Sequence, residues 1–283
     1  YRLAHTLENG RGVYSFCMCP GGYVVNASSG PERLAVHGMS FLARDSLNAN
    51  SAIVVSVTPE DFAAYHQEGT SPVLDGVAFQ RELERRAYLC GGGAVPVQRF
   101  EDFCRNKAGG SGGLAPCIKG RYEYANVREI FPEYLSDSLE RGIRSFDKKI
   151  PGFAGADVLL SGVESRTSSP VRICRDENLE SSISGIYPSG EGAGYAGGIT
   201  SAAMDGLRIA EAVAGKYRAI CAVEPDVKNF RKLENNTKDI QNCECVNVGI
   251  WNNRTTLMFQ NLAGRMSSLS LNENGKKIRP VNV

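Results

Sequence analysis

An α/β fold, with strand-rich and helix-rich stretches partly separated, is predicted by three features of this 283-residue chain. The first 57 residues alternate short β-type runs with turns. The middle carries amphipathic patterns at helical spacing. Near the end, an apolar run closes on an acid and leads into another helical pattern, the outline of a βαβ unit. With 42% hydrophobic and 22% charged residues, the composition is that of a globular chain with a sizeable core.

In order, strands are expected at Gly12 to Cys17, Tyr23 to Asn26 and Ser51 to Val57, with Pro20-Gly21-Gly22 as a turn. Thr58-Pro59-Glu60-Asp61-Phe62 then reads as a cap, a proline at the first helical position and acids in the first turn. A second helix fits 75 to 89, with apolar residues at 79, 83 and 87, and Gly91-Gly92-Gly93 ends it. The glycine-rich segment from Lys107 to Gly120 reads as a loop or lid. Tyr134 to Ile150 is helical in pattern and is stopped by Pro151-Gly152. Asp157 to Val163 is a strand, and the polar turn 164 to 170 feeds a further strand.

Next comes the run Gly185-Ile186-Tyr187-Pro188-Ser189-Gly190-Glu191-Gly192-Ala193-Gly194-Tyr195-Ala196-Gly197-Gly198-Ile199, read as strand, glycine loop and helix. Glycines allow positive φ and close backbone approach, and the helix opening near Ile199 presents unpaired N–H groups. Such a loop suits a phosphate or an electron-rich ring edge, and Glu191 could accept hydroxyl donors from a ribityl or ribose chain. An ordinary tight connection is the alternative reading. Beyond Lys216-Tyr217-Arg218, Ala219 to Asp226 reads as a buried parallel strand whose closing acid, Glu224, stands where ribose hydroxyls are held in doubly wound folds, or simply caps the next helix. Val227 to Asn236 is that helix, and Val246 to Ile250 and Thr255 to Phe259 are the last strands.

The net charge of +1 and the lack of basic runs argue against nucleic acid as a partner. The longest apolar runs have strand length, so no membrane span is expected, and a cytoplasmic setting follows. Nine scattered cysteines fit reduced thiols. The Cys17/Cys19 and Cys243/Cys245 pairs lack the partners of a closed zinc site, so no metal is assigned. Cys17 and Cys19 are candidate redox or substrate-face residues, with packed thiols as the alternative. His5, His37 and His66 stand isolated in sequence. The start at Tyr1 suggests a fragment.

Residues 1 to 217 resemble the C-terminal region of bacterial FAD-dependent dehydrogenases of the two-dinucleotide-domain flavoprotein type. The resemblance rests on the segment Gly12 to Gly22, on Asn48-Ala49-Asn50-Ser51-Ala52, on Glu164 to Arg172, and on the glycine loop with its helix. It implies that Gly190 and Glu191 hold the ribityl and pyrophosphate region of FAD. Gly197, Gly198 and Ile199 would set a helix N-terminus against the pyrimidine edge, and Arg166, Thr167 and Ser168 would lie near the isoalloxazine. It also implies a small-molecule substrate and a nucleotide-binding segment supplied elsewhere. The strand-rich opening, helical middle and returning glycine-loop helix further predict that 1–57 and 157–214 come together, with roughly 58 to 150 as an inserted substrate-side subdomain.

Residues 217 to 283 resemble part of a different family, the FkbM-type S-adenosylmethionine methyltransferases, through Ala222 to Leu233, Gly249-Ile250-Trp251-Asn252 and Thr255 to Phe259. That implies a small Rossmann-like αβ fragment over 218 to 283, in which Glu224 is a vestigial contact to S-adenosylmethionine. The expectation is a FAD-dependent oxidoreductase region fused to a partial methyltransferase and incomplete for both activities. A working methyltransferase and a non-catalytic scaffold are the alternatives.

Overall fold

The computed structural model describes residues 3–214, followed by 220–223, 227–239, 243–246, 258–259 and 276–277. The chain divides into two compact units, 1–205 and 206–283, and the division falls within one helix. The class is mixed, with helices and small sheets in both parallel and antiparallel pairing.

The first unit opens with β1 (Leu3–Thr6), β2 (Gly12–Cys19), β3 (Gly22–Asn26), β4 (Val36–Ser40) and β5 (Asn50–Val55). An antiparallel sheet runs in the order β1-β2-β5. The β2/β5 register pairs Phe16 with Ala52 and Cys19 with Asn50, so β2 spends one residue more than its partner. This is a β-bulge, and Cys17 sits in it at φ 51°, in the left-handed region that a side chain rarely adopts. A second sheet pairs β3 antiparallel with β4 and parallel with β7 (Ile118–Lys119).

Helix α1 (Pro59–Phe62) begins as its sequence predicts. The Thr58 N–H donates to Asp61 Oδ2 at 2.7 Å, and the same carboxylate takes two guanidinium bonds from Arg11, at 2.8 and 2.9 Å. Helix α2 (Asp75–Cys90) buries Phe79, Leu83 and Ala87, the stripe read from their four-residue spacing. Gly93, at φ 82°, closes the helix by donating its N–H to Tyr88 O. The chain continues through β6 (Val95–Arg99), α3 (Phe100–Cys104), β8 (Tyr122–Tyr124), α4 (Glu133–Asp147) and β9 (Leu159–Ser161), with a third sheet in the order β8-β6-β9.

Helix α4 lies on β1, β2 and β5. Its approach depends on Gly142, where a Cβ would overlap the Val13 side chain, with Val13 Cβ only 2.8 Å away. The main core joins Leu34 and Val36 to Phe79, Leu83, Val95, Phe103 and Leu135, while Leu7, Val13 and Phe146 form a smaller cluster.

Two predicted strands are absent. Residues 170–182 and 184–198 form turns and irregular backbone, and the helix α5 (Ile199–Ala214) follows directly. Proline, serine and glycine over 181–198 give no ladder-forming run, and side-chain ion pairs hold this segment instead. In the second unit, β10 (Ile220–Val223), α6 (Val227–Thr237) and β11 (Cys243–Val246) form a parallel βαβ unit in which Ile220 pairs with Cys243. A two-residue pair, Met258–Phe259 with Lys276–Lys277, completes what is described. Glu224, 247–250 and 255–257 lie outside the described residues.

Candidate functional site

The site begins with a buried acid on a helix. Glu84 of α2 is 1% exposed, and it is satisfied by a turn far along the chain: Arg166 donates through Nε (2.8 Å) and Nη2 (2.9 Å), and Ser165 Oγ through a third bond at 2.7 Å. Burial pushes the Glu84 carboxyl up, but Arg166 and Ser165 outweigh it and hold it below the usual range. Gln80, one turn earlier on α2, donates to Ser165 O and Ser168 O, and Arg166 also bonds Ser29 Oγ. The Arg166-Thr167-Ser168 turn is thus pinned to α2 at several points.

That anchoring creates a polar cleft of about 410 Å³, whose walls include Arg33, Arg81, Arg166, Ser168 and Glu191. Arg33 and Arg81 form no salt bridge with any described residue, although the Arg33 charge adds to the field that holds the Glu84 carboxyl down.

The glycine loop is fixed by a second buried pair. Asp205 accepts from Arg175 Nη2 (2.6 Å) and Nη1 (3.0 Å) and from the Gly190 N–H (2.9 Å). Arg175 also donates to Pro188 O and lies 3.6 Å from the Tyr195 ring centroid. Gly190 (φ 70°) and Gly194 (φ 83°) use the conformations only glycine takes freely, and a Cβ at Gly194 would stand 2.6 Å from Val171 O. The loop brings Glu191 and Gly192 into the polar cleft. Gly197 and Ile199 are exposed and Gly198 is half-buried, and no atom lies within 4 Å of a Cβ position at Gly197.

A third group was not legible in sequence. His37 is not isolated, because its Nδ1 lies 2.8 Å from Glu164 Oε1. That bond raises the His37 pKa; burial opposes it, and the charges of Glu164 and Glu191 add to it. His66 likewise pairs with Asp75 at 2.8 Å. Cys17 is exposed within range of the same carboxylates, and its thiol is pushed up by partial burial, then by Cys19, Glu164 and Glu191. Cys17, His37, Glu164 and Glu191 therefore share one neighbourhood, although they span much of the first unit's sequence. Every cysteine whose state is described is a free thiol. Among the described residues, no group of three or more His, Cys, Asp or Glu could hold a metal ion, and no helix is long and apolar enough to cross a membrane.

Beside the polar cleft lies an apolar cavity of about 1070 Å³. Gln80, Ser168, Ser169 and Pro170 line both. Left sealed and empty, a void of this size would cost roughly 25 kcal/mol at ~24 cal/mol per Å³, more than the ~5–15 kcal/mol that holds a domain together. It is accordingly a site open to solvent or ligand, and not a packing defect. Two oxygens on its lining residues, Asn50 Oδ1 and Thr167 Oγ1, are buried without a hydrogen-bond partner.

The fold and site define a mixed α+β domain in which a polar, arginine-bearing cleft adjoins a deep apolar cavity. The family described as FAD-dependent protein, C-terminal domain-like, matches residues 1–167, and the chain belongs to it. An uncharacterized protein of Clostridium beijerinckii is 49% identical over 222 residues, which cover 77% of this chain and 40% of that protein. The chain thus matches well under half the length of this relative. Neither match is described as a methyltransferase.

The residues present fit a flavin. Thr167 Oγ1 is an orphaned polar atom, Gly197 leaves its surroundings open, and Glu191 shares a cleft with the guanidinium groups of Arg33 and Arg81. Of the residues expected from sequence, Arg166, Ser168 and Glu191 meet in the cleft, while Cys19, Thr167 and Ser168 line the cavity. Gly197, Gly198 and Ile199 line neither.

Proposed function

We propose that this chain is the flavin-facing and substrate-side part of a FAD-dependent oxidoreductase of the dehydrogenase type. The observation that carries the reading is the convergence of the Arg166–Ser168 turn and Glu191 on one cleft, beside the neighbourhood of Cys17, His37 and Glu164. When bound, FAD supplies the two-electron chemistry. On the protein side, Glu191 accepts ribityl hydroxyls, Arg33 and Arg81 face the phosphates, and Thr167 bonds the heteroatom edge of the ring. His37, held by Glu164, moves a proton at its ring nitrogen. The rest of the nucleotide site and the remaining activity are assigned to sequence outside this chain. No role is assigned to S-adenosylmethionine.

The test is titration of the full chain with FAD, followed by the visible difference spectrum and flavin fluorescence. We expect a saturable perturbation with Kd of about 10–100 μM or weaker, a few kcal/mol short of the nanomolar binding of a complete site. Thr167→Val is expected to weaken it about five- to tenfold. Absence of any spectral change at millimolar FAD, or a change indifferent to Thr167→Val, overturns the assignment.

A further inference from the structure

The apolar cavity carries more information than its adjacency to the cleft. We infer that it takes a large, uncharged, mostly apolar small molecule bearing one hydroxyl or N–H group, and that this is the substrate class of the proposed oxidoreductase. The catalytic half of the inference rests on the flavoprotein reading, whereas the binding half rests on the cavity alone.

Three observations carry it. The volume, about 1070 Å³, sits at the upper end of small-molecule sites and accommodates a molecule well beyond the size of a simple metabolite. The wall is built from residues such as Val24, Val55, Phe79, Leu83, Phe103 and Leu139, and Glu164 is the single Asp, Glu, Lys, Arg or His on it. Glu164 is already engaged by His37. A charged substrate entering such a space loses its hydration with no opposite charge to meet it, so the lining selects against one.

The third observation is the polar point. The Asn50 amide nitrogen donates to Tyr23 O and to Met39 O, both at 3.2 Å, which fixes its orientation and leaves Oδ1 as a buried acceptor without a donor. Gly22 and Gly38 on the neighbouring strands make room for this side chain. A Cβ at Gly38 would lie 3.1 Å from Asn50 Cγ and overlap Oδ1, and one at Gly22 would crowd both the Asn50 amide and Met39 O. The acceptor calls for a ligand hydroxyl or N–H. Ser168, Ser169, Pro170 and Gln80 form the partition shared with the polar cleft, so a molecule here lies next to the proposed ring of the cofactor.

The experiment uses the full chain and retinol, a fluorescent apolar molecule with one hydroxyl, as probe. Farnesol, its hydrocarbon farnesene, and farnesyl phosphate are then compared as competitors. We expect saturable retinol binding near one to one in the micromolar range, about −8 kcal/mol. Farnesol should compete, farnesene about fivefold or more less well, and farnesyl phosphate about tenfold or more less well. Ala52→Trp and Leu139→Trp, which place indoles into the lining, should each weaken retinol binding about fivefold or more, with far-ultraviolet circular dichroism and the unfolding midpoint unchanged. If either variant fails to fold, the competitor series on the unaltered chain decides. Absence of saturable binding, equal competition by farnesol and farnesyl phosphate, or folded tryptophan variants with unchanged retinol binding overturns the inference. The FAD titration separates the two readings. Retinol binding without a flavin response removes the flavoprotein assignment and leaves the apolar site, and the reverse result removes the apolar site alone.

Discussion

Removing Arg166 should cost more than removing its partner, and the difference should vanish in acid. Glu84 is 1% exposed, while the Arg166 side chain is 47% exposed. In Arg166→Ala, a buried carboxylate keeps only the Ser165 hydroxyl, and breaking such a pair costs about 3–5 kcal/mol. In Glu84→Gln, the guanidinium regains water from its open side, and the loss is about 1–2 kcal/mol. For a unit of about 200 residues, 1 kcal/mol moves the midpoint by about 2–4 °C, so the expected falls are about 6–20 °C and about 2–8 °C. The pH dependence follows from the sign of the shifts. In the unaltered chain the folded-state pKa of Glu84 lies below its ordinary value of 4.5. Its stabilisation is therefore complete above that value and lost as pH falls through the folded pKa. In Arg166→Ala, burial acts unopposed and the folded pKa rises, so the variant regains stability as acid neutralises Glu84. Thermal unfolding of both variants between pH 8 and pH 4 tests this. Equal costs at neutral pH, or a gap that persists at pH 4, would refute the placement of the charge.

Other consequences are as direct. Asp205→Asn releases Arg175 and the Gly190 N–H, so amide exchange at Gly190 and proteolysis within 184–198 should accelerate about tenfold or more, with α2 unaffected. Gly142→Ala should destabilise by about 1–3 kcal/mol through overlap with Val13, and Val13→Ala should recover part of that loss in the double variant, read by urea unfolding. Glu164→Gln should lower the His37 pKa as followed by NMR titration. The raised folded pKa of His37 contributes stability below its unfolded pKa, and that contribution disappears as pH rises through the folded value. An unmoved His37 titration would show that the 2.8 Å contact is not an ion pair in solution.

Much of the first unit was legible because period and punctuation agree. Phe79, Leu83 and Ala87 recur every four residues and are buried, and Thr58-Pro59 starts a helix that Asp61 caps. The expected strands around the glycine loop failed because residues 170–198 have no alternating pattern, and Arg175–Asp205 does there what a ladder does elsewhere. The site was half legible. The glycine loop could be read from its own residues, whereas the Arg166 turn was singled out only through the family resemblance. Glu84, Arg33 and Asn50 could not, since their roles depend on partners dozens of residues away. The one signal available for Glu84 was its place next to Leu83 on the buried side of a helix, where an unpaired carboxylate is costly and a cation partner is required. His37 carried no signal until β4 and the 163–164 segment came together through the Val36 N–H to Val163 O bond.

These pairings share a logic that bears on function. The segments expected to meet a ligand, 164–170 and 188–195, have no regular structure, so their backbone cannot be fixed by a ladder or a helix. Each is instead tied by an acid on a rigid element: Glu84 on α2 holds Arg166 within the first segment, and Asp205 on α5 holds the Gly190 N–H of the second together with Arg175, which precedes that segment and donates to Pro188 O. A two-pronged guanidinium bond sets both distance and orientation, which a single hydroxyl contact does not. The acids are consumed in positioning, leaving Glu191 in the cleft with Arg33 and Arg81, which form no salt bridge with any described residue. Lysine at 166 or 175 would keep the charge but lose the fork. Arg166→Lys should therefore retain much of the stability at neutral pH while weakening the FAD response about as much as Thr167→Val does. A variant that loses stability and ligand response in strict proportion would mean that the pair serves folding alone.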